Sequence, residues 1–213
     1  DEAPAVLETL RRISELHMAQ GQDGEAVGSL REALRLQRRM HGRGHAAVGD
    51  TYDRLGAALY GHGEHAEALA CLGEALRIRE GAYGEAQAGV GDTLERLGAA
   101  TLGLGQHGEA LKYCERALRL CLEAEAGLSL EAADLRFNMA TVCREQGDDG
   151  RADELLRACV KTYKRVYGLE HSKTQEAIWL ADFGSGSFRT PSPPRLGHRT
   201  QGLPRGKARG TTL

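Results

Sequence analysis

An all-α solenoid of four helix-turn-helix units, closed by a C-terminal capping helix, is the fold this sequence predicts. Three observations carry it. First, Gly21, Gly63, Gly105 and Gly147 recur every 42 residues without insertion. Each is followed three positions on by a small residue (Gly24, Ala66, Gly108, Gly150) and five positions on by alanine (Ala26, Ala68, Ala110, Ala152). A strict period of this kind marks an array in which each unit buries its apolar face against its neighbours. Second, no proline lies between Pro4 and Pro191, so long helices run uninterrupted. Third, aromatic residues make up only 5% of the chain. The core is therefore assembled from Leu, Ala and Val, which suits close-packed helices better than a sheet.

The elements follow in order. In the first unit, about residues 5–45, Val6, Leu10, Ile13, Leu16 and Met18 make one helical stripe, and Ala26, Val27, Leu30, Ala33, Leu34 and Leu36 make a second after Gly21. The second unit, 46–87, repeats this with Val48, Tyr52, Leu55, Ala58 and Leu59, then Ala68, Leu69, Leu72, Ala75, Leu76 and Ile78. Between them Gly63 sits where a left-handed residue ends a helix. The third unit, 88–129, carries Val90, Leu94, Leu97 and Ala100, then Ala110, Leu111, Ala117, Leu118 and Leu120. In the fourth, 130–171, Ala133, Phe137, Met139 and Val142 precede Gly147, and Ala152, Leu155, Leu156, Cys159 and Val160 follow it. A fifth first helix, 172–183, with Ile178, Trp179 and Leu180, has no second helix after it and reads as a cap over the last apolar surface, with Trp179 a packing residue.

From Gly184 the helical period stops. Residues 184–213 hold four of the five prolines and Arg189, Arg195, Arg199, Arg205, Lys207 and Arg209, with no acid. The segment is therefore +6, and the rest of the chain is −8. Such a composition predicts disorder, since little surface can be buried to offset ordering entropy. Gly184-Ser185-Gly186-Ser187 reads as a flexible linker of the engineered kind, with 188–213 a fused peptide, or else as the start of a natural basic tail.

Several function classes are disfavoured. No run of apolar residues is long enough to span a membrane, and the acidic N-terminus lacks a secretory pattern. Cys71, Cys114, Cys121, Cys143 and Cys159 are odd in number and form no CxxC, which predicts buried free thiols in a reducing, cytoplasmic setting. The histidine pairs His62/His65 and His41/His45 lie at turns with no third ligand nearby, so no metal or other cofactor is expected. Asp148-Asp149 reads as a helix start, where acids meet the positive end of the dipole. No nucleophile, base and acid occur together, so no enzyme is expected. The basic tail lacks interleaved aromatics beyond Phe188, which makes nucleic acid an unlikely partner.

Leu55-Gly56, Leu59, Gly63, Ala68, Leu72 and Ala75 stand at the spacing of tetratricopeptide repeats (TPRs), and Leu97-Gly98, Leu102, Gly105, Ala110, Cys114 and Ala117 repeat it. With a 42-residue unit and the junctions Gly42-Arg43-Gly44-His45 and Gly168-Leu169-Glu170-His171, the chain resembles the longer repeats of kinesin light chain and nephrocystin-3 over about residues 3–183. It departs from them where Gln87 and Ser129 replace the junction histidine, and where the proline that usually follows is absent.

The resemblance implies a right-handed superhelix whose first helices line a concave groove that holds an extended peptide. One row of that groove falls at Arg12, Arg54, Arg96 and Asn138, again 42 apart. In related arrays asparagine is common in this row and its amide holds the backbone of the ligand; only Asn138 fits. Arginine there offers a fixed fork of donors instead. Four residues earlier lie Glu8, Asp50, Asp92 and Asp134, and Asp53 and Glu95 add acids one position before the arginine. Acid and arginine at i and i+4 share a helix face, so these residues either read a partner or pair with each other as solvated surface charges. The function expected is thus a protein-interaction adaptor that binds an extended partner segment, with 188–213 a candidate occupant in cis. The alternative is a structural scaffold subunit that uses its convex or end surfaces.

Overall fold

The computed structural model describes residues 3–84, 88–124 and 129–183. These residues form nine helices and no strand: α1 Ala3–Ala19, α2 Asp23–His41, α3 Ala46–Gly61, α4 His65–Tyr83, α5 Ala88–Gly103, α6 His107–Ala124, α7 Leu130–Glu145, α8 Asp149–Val166 and α9 Ser172–Phe183. Each helix packs chiefly on the one before and the one after it. The array is thus four helix-turn-helix repeats with a final helix against α8, as the period predicted. The basic segment beyond residue 183 lies outside the described residues.

The turn inside each repeat is one motif used four times. At the end of α3, Glu64 N–H donates to Leu59 C=O at 2.9 Å and Gly63 N–H to Tyr60 C=O at 3.0 Å. This pair of bonds satisfies carbonyls that the helix end would leave unpaired, and it requires a left-handed residue at Gly63, whose φ is +88°. The same two bonds recur around Gly21, Gly105 and Gly147. At the next helix start, the Asp148 carboxylate accepts from Arg151 N–H at 3.1 Å, so this acid does cap a helix.

Close contact of the two helices of a repeat explains the Leu-Gly pair. A β-carbon at residue 56 would lie 2.5 Å from Leu72 Cγ, and one at residue 98 would lie 2.7 Å from Cys114 Sγ. Around this contact Val48, Leu59, Leu72, Leu94, Leu97, Leu135 and Leu156 are buried in one continuous core. Cys71, Cys114 and Cys143 are buried in it as free thiols, Cys159 is buried in a second cluster with Ala133, Tyr163 and Ala177, and Cys121 is half-buried. Burial pushes the Cys71 and Cys114 thiols up to about 11 and Cys159 to about 12, so they remain protonated and unreactive at neutral pH.

Candidate functional site

The first helices α1, α3, α5, α7 and α9 present their i, i+42 rows to a series of concavities. One of 460 Å³ lies between α1, α2 and α3 and is lined by Glu8, Arg11, Asp50 and Arg54. A second of 370 Å³ lies between α3 and α5, lined by Ala57, Tyr60, Asp92, Glu95, Arg96 and Ala99. A third of 280 Å³ is bounded by Glu95, Asp134, Phe137, Asn138, Tyr163, Lys173 and Glu176. Glu95 lines both the second and the third. Of the expected groove residues, Arg12 and Asp53 line none of these concavities.

Asp53 is the correction. It is 4% exposed and takes no part in a groove surface. Its Oδ1 accepts from the Thr93 hydroxyl at 3.0 Å and lies 3.3 Å from Arg79 Nη1, and its Oδ2 accepts from Arg96. Arg79 also donates to Asp50 at 2.8 Å and to Gly89 C=O at 2.8 Å. Helices α3, α4 and α5 are thereby joined by one polar network in the junction between the second and third repeats.

The i, i+4 pairing forms in α1 only. There Glu8 accepts from Arg11 and Arg12, each at 2.8 Å, and these bonds hold its carboxyl at about 2. Arg54 instead reaches back to Glu15, and Arg96 to Asp53, each on the preceding first helix. The reason is the closeness of successive repeats, which offers each guanidinium an acid across the junction. Asp134 accepts from Lys173 at 2.9 Å and from the Tyr163 hydroxyl. Burial first, and then that hydrogen bond, raises the Tyr163 phenol well above its ordinary value.

What remains is a line of acids whose neighbouring cations are bonded to other carboxylates. Asp92, Glu95 and Glu176 make no hydrogen bond or ion pair among the described residues, whereas Arg96 and Lys173 beside them are engaged. Partial desolvation, then Asp92 and Asp134, raises the Glu95 carboxyl above its usual value. Glu176 extends the row of Glu8, Asp50, Asp92 and Asp134 by one further period. Carrying the period into the final helix would have found it from sequence. Tyr60, Phe137, Tyr163 and Lys173 are groove residues with no repeated residue type to reveal them. Among the described residues no group of His, Cys, Asp and Glu has the arrangement of a metal site, and no helix is long and apolar enough to cross a membrane.

A solenoid of paired helices with its polar rows on the first-helix side is the architecture of an interaction repeat. The chain belongs to the tetratricopeptide repeat family, whose model matches residues 5–81 and 89–165. The kinesin light chain TPR-like repeats of Podosopora anserina share 18% identity over 85% of each chain, with a TM-score of 0.73. BtubC (BKLC) from P. vanneervenii superposes with a TM-score of 0.72 at 16% identity, over 84% of this chain and 71% of the other. Aspartyl phosphate phosphatase F from Bacillus subtilis gives 0.72 at 16% identity, over 87% of this chain and 47% of the other. At these identities the likeness is one of fold. No curated protein matches the chain in sequence.

Proposed function

We propose that the concave groove is a non-enzymatic docking site for an extended, Lys- or Arg-bearing segment of a protein partner. The observation that carries this reading is the set of unpaired carboxylates, Asp92 and Glu95 in the second concavity and Glu95 and Glu176 with Asn138 in the third, while the neighbouring cations are already engaged. An extended strand exposes main-chain groups that a side-chain amide such as that of Asn138 satisfies from both sides. Its basic side chains meet the acids, and Tyr60 and Phe137 supply apolar contact. The unpaired charge at the centre of the groove is of one sense, which favours a basic ligand over one of mixed charge.

Residues 188–213 are the candidate occupant in cis. Two facts favour them: the segment 184–213 is +6, and it leaves the chain from the end of α9, whose Lys173 and Glu176 line the third concavity. Linkage within one chain raises its effective concentration to about millimolar.

Titration of the chain ending at Phe183 with a labelled peptide of residues 188–213, and with a Glu-substituted counterpart, tests both readings. Expected are binding of the basic peptide alone, a loss of about tenfold, ~1.4 kcal/mol, in Asp92→Asn/Glu95→Gln, and weaker apparent binding to the full chain. No binding to the shortened chain excludes docking in cis. Any basic peptide that binds equally well to the double variant excludes the acidic groove as the recognition surface.

A further inference from the structure

The first and third concavities occupy the same place in the first and fourth repeats. Glu8, Gln37 and Asp50 around the first stand three 42-residue periods before Asp134, Tyr163 and Glu176 around the third. What fills this place is set by one row of the second helices: Gln37, Arg79, Cys121 and Tyr163. In the second repeat Arg79 fills it, bonded to Asp50, Gly89 and Thr93, and 160 Å³ remains beside it. In the fourth, the Tyr163 ring and the Lys173–Asp134 pair leave 280 Å³ with polar walls. In the first, Gln37 is shorter than arginine and accepts from the Thr51 hydroxyl, which holds its amide against α3. The place stays open at 460 Å³, with walls of Leu7, Leu30, Ala33, Met40 and Ala47. It lies on the α2–α3 side of α1, and in the fourth repeat the same place is open with three repeats ahead of it.

The charges around this opening are already satisfied. Glu8 is held by Arg11 and Arg12, Asp50 by Arg79, and Arg54 by Glu15. Aliphatic walls beneath neutralised charges favour an uncharged apolar side chain and offer no partner to a cation. The second concavity, with Asp92 and Glu95 in its lining, has the opposite preference. Both open onto α3, the first at Asp50 and Arg54, the second at Ala57 and Tyr60. First helices that touch, as α3 and α5 do, lie about 10 Å apart. An extended chain covers that span in three or four residues at about 3.3 Å each. We propose that the first concavity is a socket for a leucine-sized aliphatic side chain of the docked basic segment, three or four residues from the Lys or Arg that meets Asp92 and Glu95. The socket sets the register of the ligand. The inference rests on the reading of the groove as a docking site and adds a second requirement to positive charge. Residues 188–213 meet both requirements: Leu196 stands three residues before Arg199, and Leu203 four before Lys207.

Two labelled peptides of equal charge test it: residues 188–213, and the same peptide with Leu196→Ser and Leu203→Ser. Each is titrated into the chain ending at Phe183, which keeps α1 to α9 and the core they share. The readout is the ratio of the two dissociation constants. About a tenfold preference for the leucine peptide is expected from burial of one aliphatic side chain. In Gln37→Arg, which copies Arg79 into the socket, the preference is expected to vanish. Ala47→Glu is the second variant, because Glu131 and Lys173 stand at its position in later repeats and that helix start takes a long side chain. The preference is expected to vanish there too, with helical circular dichroism retained. Equal binding of both peptides to the wild type, or a preference that persists in both variants, overturns the socket. If both peptides bind alike and Asp92→Asn/Glu95→Gln weakens both, the socket falls and the acidic groove stands. If neither peptide binds, the socket falls together with docking in cis.

Discussion

Asp53 of α3 accepts a hydrogen bond from Arg96 of α5, one repeat further on, and lies 3.3 Å from Arg79 in the junction beneath. Asp53 and Arg79 have side chains only 5% and 12% exposed. A buried charge that loses its partner is far more costly than a pair replaced as a whole. Asp53→Ala is expected to destabilise the chain by about 1–3 kcal/mol, because Arg79 loses its most enclosed carboxylate while it keeps Asp50. Urea unfolding checks this. Asp53→Asn, which keeps a hydrogen-bond acceptor for Thr93, is expected to lose less.

Much of this architecture is legible in the period alone. The glycines that need left-handed backbone, the Leu-Gly contact between paired helices, and the rows of the first helices all follow from 42-residue spacing. The pairing of charges does not. Arg54 and Arg96 ignore the acids four residues back in their own helices, because a neighbouring repeat presents Glu15 and Asp53 instead. Nor does the identity of a row carry its chemistry: Arg79 shares its row with Gln37, Cys121 and Tyr163, so nothing repeated marks it as the centre of a junction. On the second helices, Arg31 pairs with Glu67, and two repeats later Glu115 pairs with Arg151, with the charges exchanged. Complementarity between neighbours is preserved there, not residue type, and a search for recurring residues is blind to it.

The turn glycines offer a test of that period. Gly63 has φ +88°, and a substituted residue there would carry a left-handed backbone even though nothing lies within 4 Å of its β-carbon. Gly63→Ala is expected to destabilise by about 1–2 kcal/mol. Gly73 lies inside α4 with open space around it and ordinary helical backbone. Gly73→Ala is therefore expected to stabilise by about 0.5–1 kcal/mol. Thermal or chemical unfolding of the two variants should give opposite signs. A common sign would show that space, not backbone conformation, governs these positions.

Glu95 links groove chemistry to pH. Its carboxyl is raised by partial desolvation and by Asp92 and Asp134, so the folded chain holds this proton at a pH where the unfolded chain has released it. Between the ordinary carboxyl value and the raised one, the folded state binds more protons, and stability falls as pH rises through that window. At neutral pH the ionised Glu95 is thus a strain that folding tolerates. Glu95→Gln removes it, and the variant is expected to match or exceed the wild type in thermal stability at pH 7. The advantage should disappear below the ordinary carboxyl range, where both side chains are neutral. Binding should move the opposite way. A basic ligand stabilises the ionised form, so its affinity for the wild type is expected to rise with pH through the same window and to lose that portion of its pH dependence in Glu95→Gln. Unfolding midpoints measured from pH 3 to pH 8, alongside titration of a basic peptide, check both halves. A variant less stable than the wild type at pH 7 would mean that Glu95 serves the fold and not the groove.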